Sequence, residues 1–151
     1  FFILDEIPPA EDLWMLATGT GIAPFMSILK DEEVWTKYPK VVLVQAVRSH
    51  SDLLYQGEID ALKLRHGDRF SHQGFVSREA VADTLPGRIP AALENGSLEQ
   101  SVGLAMTVAK SQIMLCGNPG MIKESVEVLK ARGFSKNRRR SPGQLTTEAY
   151  W

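Results

Sequence analysis

One stretch of the chain decides the fold: Leu13-Trp14-Met15-Leu16-Ala17-Thr18-Gly19-Thr20-Gly21-Ile22-Ala23-Pro24. Its first five residues are apolar without alternation, which is typical of a strand buried on both faces of a parallel sheet. From Ile22 to Lys30, apolar residues recur at helical spacing, so a helix is predicted directly after the glycine turn. The stretch therefore predicts a strand, a tight turn and a helix in succession.

Two more segments repeat this plan. The β-branched run 41–47 predicts a second strand, followed by a helix that Gly67 ends. Further along, the apolar run 112–116 precedes a helix that Asn118 caps and Gly133 ends. Repeated strand–helix units of this kind indicate a parallel sheet with helices on both faces.

The signals between and after these units are weaker. A strand is predicted around 69–76, with Ser77 capping a short helix that begins at Arg78. Proline and glycine interrupt residues 85–109, which indicates short helices joined by turns, and a final extended piece covers 144–151. We therefore predict an α/β fold: a doubly wound, mainly five-stranded parallel sheet, with ligands beyond the carboxyl ends of its strands.

Length and composition exclude several classes of protein. The 151 residues suit one domain, and a net charge of −1 with 44% hydrophobic residues is ordinary for a folded protein, so neither disorder nor nucleic-acid binding is expected. No apolar run approaches the roughly 20 residues that a bilayer span needs, so no membrane association is expected. Residues 1–12, with two prolines and four acidic residues, predict an exposed linker ahead of the domain 13–151.

The single cysteine, Cys116, limits the available chemistry. It forms no intramolecular disulfide and holds no metal cluster by itself, which favours a cytoplasmic setting and predicts no metal site. Its position at the end of a predicted strand directs the thiol toward the ligand crevice, whereas a lone cysteine is more often a small buried apolar residue. The chain has neither a G-x-S-x-G elbow nor a Walker motif, so hydrolase functions are not favoured.

The glycine turn Thr18-Gly19-Thr20-Gly21 lies where a dinucleotide-binding turn belongs, between a strand and a helix. Glycines let the backbone approach a pyrophosphate, and the N–H groups at the start of the helix face the anion. Pro24 replaces the third glycine of the usual G-x-G-x-x-G pattern. A plain tight connection is the alternative, but the context favours phosphate binding.

Arg48 ends the second predicted strand, where an NAD site usually has an acidic residue for the ribose 2′-hydroxyl. A cation at this place favours a phosphate, and Arg78 and Arg88 follow the third strand and are predicted to converge on the same group. Each charge-assisted hydrogen bond contributes roughly 1.5–3 kcal/mol, enough to separate NADP from NAD by tenfold or more. Simple solvation of surface arginines is the alternative.

The chain ends in Glu148-Ala149-Tyr150-Trp151. Two terminal aromatic residues either pack on their own domain or offer a flat platform for a planar ligand. The cluster Arg138-Arg139-Arg140 is either a solvated basic turn or a docking patch for an acidic partner.

Taken together, the segments 17–24, 116–121 and 148–151 resemble the NADP-binding half of bacterial ferredoxin/flavodoxin–NADP reductases. The resemblance extends over nearly the whole chain. It implies that 1–12 is the linker from a missing N-terminal FAD-binding barrel, and that 13–151 is an NADP-binding domain whose tail faces the flavin. Such a piece is expected to be inactive and to hold flavin poorly by itself.

The resemblance also implies a role for each site residue. The cofactor-binding residues would be Thr18, Gly19, Thr20, Gly21, Arg48, Arg78, Arg88, Gly117, Asn118, Tyr150 and Trp151. Cys116 would lie beside the reacting carbon of the nicotinamide, Glu148 near the carboxamide, Tyr150 over the isoalloxazine ring and Trp151 against the adenine of FAD.

The implied reaction passes a hydride between NADP(H) and FAD and single electrons between FAD and ferredoxin or flavodoxin, in a monomer. Cofactors carry this chemistry, so the lack of a catalytic triad is no objection. Two other functions stay open: the reductase component of an oxygenase, and a noncatalytic dinucleotide-binding regulatory module. A methyltransferase is disfavoured, because it would want an acidic residue in place of Arg48.

Overall fold

Six strands, all parallel to their neighbours, form one sheet in the computed structural model, which describes residues 4–149. The strands are β1 Asp12–Thr18, β2 Lys40–Val47, β3 Phe70–Val76, β4 Thr84–Leu85, β5 Ser111–Gly117 and β6 Leu145–Ala149. The helices are α1 Ile22–Leu29, α2 Glu32–Lys37, α3 Gln56–His66, α4 Ile89–Asn95, α5 Ser97–Val102 and α6 Pro119–Ala131.

The spatial order of the strands is β4-β3-β2-β1-β5-β6. The chain builds the sheet outward from β1 to β4 and then returns to place β5 on the other side of β1. The crevice beyond the carboxyl ends of β1 and β5 is therefore the switch point at which open α/β sheets bind ligands. The predicted doubly wound α/β fold is confirmed, and β4, with only two residues, is the strand beyond the predicted five.

The central strands are buried on both faces. Successive residues of β1 alternate between two apolar clusters: Leu13 and Met15 pack with α1, α2 and α3, whereas Trp14 and Leu16 pack with α4 and α6. The indole N–H of Trp14 donates to a carboxylate oxygen of the buried Asp12 at 2.9 Å. Two covered faces explain why the run has no alternation of apolar and polar residues.

The turns after β1 and β5 touch each other. A Cβ atom on Gly21 would lie 2.5 Å from the carbonyl oxygen of Cys116, and one on Gly117 would lie 2.8 Å from that of Thr18. Gly117 also has a φ of +131°, which side chains rarely allow. The hydroxyl oxygen of Thr18 accepts a hydrogen bond from the N–H of Asn118 at 3.0 Å. Glycine is therefore required sterically where the two turns meet.

Helix boundaries follow the predicted caps in α6. The Asn118 side chain accepts hydrogen bonds from the N–H groups of Gly120 and Met121, at 2.8 and 3.2 Å, and Gly133 has a positive φ just beyond the end. The short helix α2 was not predicted. Its N-cap is Asp31, whose carboxylate accepts from the N–H of Glu33.

The prediction of a helix beginning at Arg78 is wrong. Residues 77–79 form a bend, because their backbone continues the hydrogen bonding between β2 and β3. The N–H of Ser77 donates to the carbonyl of Val47 at 3.1 Å, and that of Arg78 to the carbonyl of Arg48 at 2.9 Å. This pairing holds the two arginine-bearing loops side by side.

The prediction that residues 1–12 form an exposed lead-in to the domain is also wrong for three residues: Leu4, Ile7 and Asp12, the first residue of β1, are buried. Leu4 and Ile7 are buried in the cluster beneath α1, α2 and α3. The ammonium of Lys37 donates to the carbonyl of Leu4 at 2.7 Å, and the hydroxyl of Tyr38 to that of Pro8 at 2.8 Å. The prolines and acidic residues of this segment indicated exposure. The apolar side chains of α2 and the hydrogen-bond donors of Lys37 and Tyr38 bind the segment through contacts that are distant in sequence.

We expect Gly21→Ala to lower the free energy of unfolding by about 1–3 kcal/mol, because the new methyl group would press on the backbone of Cys116 and Gly117. Urea unfolding followed by circular dichroism measures the change. Gly57→Ala in α3 is the matched control, since a Cβ there meets nothing within 4 Å and alanine favours a helix by up to about 1 kcal/mol. Equal stability of the two variants would contradict the close approach of the turns.

Candidate functional site

A cleft of about 860 Å³ opens at the carboxyl ends of β1, β2, β3 and β5. Seven of the predicted cofactor-binding residues line it: Thr18, Gly19, Thr20, Arg48, Arg78, Arg88 and Asn118. Gly21 and Gly117 are absent from the lining, because they form the contact between the two turns beneath it. The structure therefore brings the glycine turn and all three predicted arginines to one cavity.

One end of the cleft is the glycine turn. Residues 19–21 form a single turn of 3-10 helix with Gly19 at a φ of +51°, and α1 begins at Ile22. Thr18 and Asn118 come from the end of β1 and from the cap of α6, so the starts of α1 and α6 lie at this end of the cleft. Because the Thr18 hydroxyl oxygen accepts from Asn118, its proton is available to a ligand.

The other end of the cleft is positively charged. Arg48 follows β2, Arg78 follows β3 and Arg88 is the N-cap residue of α4, against one acidic lining residue, Asp52. Arg88 forms an exposed ion pair with Glu124 of α6 at 3.3 Å. Three guanidinium groups around one opening attract a multiply charged anion.

An acidic side chain crosslinks the two loops at this end. The N–H of His50, two residues beyond Arg48, donates to the Glu79 carboxylate at 2.6 Å. Glu79 follows Arg78 directly, and the backbone of Arg78 is bonded to that of Arg48. The loops that carry the first two arginines are therefore held together by backbone and side-chain bonds.

The structure places Cys116 and Glu148 outside the cleft lining. Cys116 is fully buried and belongs to the apolar cluster that packs with α1. Glu148 of β6 lies opposite Cys116 in the sheet. It lines a separate cavity of about 410 Å³, together with residues 5–8 and with Arg138 and Arg139. The interpretation of Cys116 as a small buried residue fits this placement, and the nicotinamide roles of both residues stay predictions. Tyr150 and Trp151 lie outside the described residues, so their roles stay predictions as well.

The basic turn at 138–140 is tied to the start of the chain. Arg138 and Ser141 exchange backbone hydrogen bonds at 3.0 and 3.1 Å, which makes the turn tight. The guanidinium of Arg139 lies 3.1 Å from the carboxylate of Glu6, and the Asn137 side chain donates to the carbonyl of Glu6 at 3.0 Å. The turn therefore fixes the lead-in against the second cavity.

The known protein family that matches this chain is described as the oxidoreductase NAD-binding domain, over residues 15–127. The chain belongs to this family. Within residues 4–149, no helix combines the length and apolarity that a bilayer crossing demands, and no three potential ligands among histidine, cysteine and acidic residues cluster around a metal position.

Similar proteins carry the name of the reductase family that the sequence motifs resemble. A flavodoxin/ferredoxin–NADP reductase of Escherichia coli is 45% identical and one of Buchnera aphidicola subsp. Baizongia pistaciae 43%, each across the whole chain. The chain spans 61% of the length of both relatives. A crystal structure of a ferredoxin NADP+ reductase from Neisseria gonorrhoeae, with bound FAD and NADP, matches 99% of the chain and is itself covered over 60%, with a TM-score of 0.92 and 34% identity.

A more distant structure shares the fold alone. The FAD/NAD-binding domain of a nitric oxide dioxygenase from Vibrio cholerae has a TM-score of 0.73 and 20% identity, over 99% of this chain and 54% of that one.

In this NAD-binding domain, sequence reasoning missed a buried polar network behind the cleft. Gln45 of β2 is 1% exposed, and its side-chain N–H donates to the carbonyl of Leu54 at 3.0 Å. Its side-chain oxygen lies 3.2 Å from the amide nitrogen of Gln56 and 3.1 Å from Nε2 of His72. The signal was a glutamine interrupting the apolar run of β2.

Burial sets the protonation state of His72. Its pKa falls from 6.5 to about 4: loss of solvent is the main cause, repulsion by Lys63 adds to it, and attraction by Asp60 opposes both. The ring is therefore neutral at pH 7. Since a glutamine side-chain oxygen accepts hydrogen bonds, the proton of His72 is assigned to Nε2.

The NAD-binding domain should lose stability as the pH falls from 7 to 5. His72 takes up a proton in the unfolded chain near pH 6.5 but in the folded protein only near pH 4, so acid favours the unfolded state between these values. The histidine accounts for about 2 kcal/mol of the loss between pH 7 and 5, and urea unfolding at both values measures it.

His72→Gln should remove most of this pH dependence while keeping a donor for Gln45. His50→Gln, at an exposed position, is the control and should follow the wild-type curve. The assignment is refuted by an unchanged slope in the His72 variant.

Proposed function

We propose that this chain is the NADP(H)-binding part of a reductase that moves electrons between NADPH and ferredoxin or flavodoxin through FAD. The observation that carries the proposal is the grouping of Arg48, Arg78 and Arg88 at one end of the cleft whose other end is the glycine turn. The names of the Escherichia coli and Buchnera relatives and the NADP bound in the Neisseria structure support it.

The cleft fits NADP in size and in charge. Its volume of about 860 Å³ lies within the range of roughly 300–1,000 Å³ of ligand pockets. The N–H groups of the turn 18–21 suit the pyrophosphate, and the guanidinium groups suit the additional 2′-phosphate. An NAD site would place a carboxylate where Arg48 stands.

The residues of the chain bind and orient, and the bound cofactors supply the hydride transfer. Thr18 and the turn hold the middle of the dinucleotide, and the three arginines hold its phosphorylated end. Under this proposal Cys116, Glu148 and Tyr150 serve the nicotinamide and flavin rings, and Trp151 serves the adenine of FAD. We also propose that the protein is a cytoplasmic monomer whose FAD is held mainly by another domain.

We expect Arg48→Ala to weaken the binding of 2′,5′-ADP about tenfold and to leave 5′-AMP binding nearly unchanged, because only the first ligand has a 2′-phosphate. Isothermal calorimetry with both ligands measures the ratio of affinities. Arg65→Ala is the matched control, since Arg65 is an exposed arginine of α3 that pairs with Glu32 and does not line the cleft. Equal affinities of the wild-type chain for the two ligands would refute the NADP assignment.

The 151 residues, produced alone, should bind 2′,5′-ADP but show no visible flavin absorption and negligible reduction of artificial acceptors by NADPH. The reason is that the proposal assigns most of the FAD site to another domain. Visible spectroscopy and an acceptor assay measure both properties. Tightly retained yellow colour would show that the chain binds FAD by itself.

A further inference from the structure

Leu54 is an unusual residue in the wall of the cleft. Among residues 4–149, three large apolar side chains are exposed, and Leu54, at 49% exposure, is the one that lines this cavity. It lies on the segment between β2 and α3, at the end of the cleft that also holds Arg48 and Asp52. An exposed apolar surface in a charged cleft is suited to packing against a planar ring.

The segment that carries Leu54 has a single turn of 3-10 helix at His50–Asp52 and no regular structure between that turn and α3. The next residue, Tyr55, has a φ of +65°, which is costly for a residue other than glycine. Such a conformation persists only where the surroundings fix it. Here the backbone of Leu54 is held at both of its polar groups. Its N–H donates to the carbonyl of Asp52 at 2.9 Å, and its carbonyl accepts side-chain N–H groups from Gln45 and Gln56, at 3.0 and 3.1 Å.

Gln45 can donate to the Leu54 carbonyl because its side-chain amide is fixed in one orientation. The Leu54 carbonyl only accepts hydrogen bonds, so the nitrogen of the Gln45 amide must face it and the oxygen must face His72. His72 comes from the neighbouring strand, β3, which fixes the amide from the sheet side. A buried amide without partners would cost about 1–3 kcal/mol, so the satisfied arrangement is strongly favoured.

We propose that Gln45 is a positioning residue for nucleotide binding: through the Leu54 carbonyl it sets the Leu54 side chain against the adenine ring, and His72 holds its amide in the required orientation. The proposal rests on the proposed function, since the adenine ring belongs beside the arginines that take the 2′-phosphate. Gln45 itself does not line the cleft and acts only through Leu54.

The test is a double-mutant cycle of Gln45→Leu and Leu54→Ala in the 151-residue chain, with 2′,5′-ADP and 5′-AMP as calorimetric probes. Each single variant should bind both probes about tenfold more weakly, because both contain adenine, and the ratio between the probes should stay at the wild-type value. Gln45→Leu should have no further effect in the Leu54→Ala background. A general loss of structure would not produce this pattern, and the thermal midpoint is recorded for each variant.

Wild-type affinity in Gln45→Leu, or a full additional loss in the double variant, would overturn the proposal. If Gln45→Leu does not fold, His72→Leu and His72→Gln replace it: the first should weaken binding and the second, which retains a donor, should restore it, and equal affinities of the two would overturn the proposal. A wild-type chain that binds both probes equally would refute only the NADP assignment, because 5′-AMP still reports on Leu54. A wild-type chain that binds neither probe would refute both.

Discussion

The close contact between the turns after β1 and β5 is the constraint on which the rest of the structure depends. Two chain segments about a hundred residues apart meet with backbone against backbone at Gly21 and Gly117, and the Thr18 hydroxyl joins them through Asn118. This contact places the first turns of α1 and α6 at the same crevice. A cleft with the starts of two helices at one end is the direct result.

Under the proposed function, general affinity for a dinucleotide and selectivity for NADP come from different ends of the cleft. The glycine turn suits a pyrophosphate in any dinucleotide, whereas the loops after β2 and β3 carry the arginines to which we assign the phosphorylated ribose. Those loops are joined by the backbone bond between Arg78 and Arg48 and by the Glu79 carboxylate. If the proposed function holds, a change of coenzyme preference would require changes in these loops and would leave the turn intact.

Local signals explain what the sequence predicted correctly. The strands β1, β2 and β5, the turn at 18–21 and the capped helix α6 each depend on residues within about fifteen positions. The convergence of the arginines followed from the rule that parallel strands end at the same edge. The predictions that failed concern residues whose structure depends on tertiary contacts. The N–H of Ser77 continues the hydrogen bonding between β2 and β3 and does not begin a helix. The short strand β4 is defined by its pairing with β3, and Ile7 is buried in the cluster that includes α2. Gln45 was missed for the same reason, because its partner His72 is 27 positions away on another strand.

The anchored lead-in has a practical consequence for anyone who shortens this chain. Trimming at the first strand would look harmless, because the removed residues are rich in proline and acid. It would remove the buried side chains of Leu4 and Ile7 and the carbonyls that accept hydrogen bonds from Lys37 and Tyr38. The apolar surface beside α2 would then be exposed and prone to aggregation. The smallest piece that stays monodisperse during purification should therefore begin no later than Leu4.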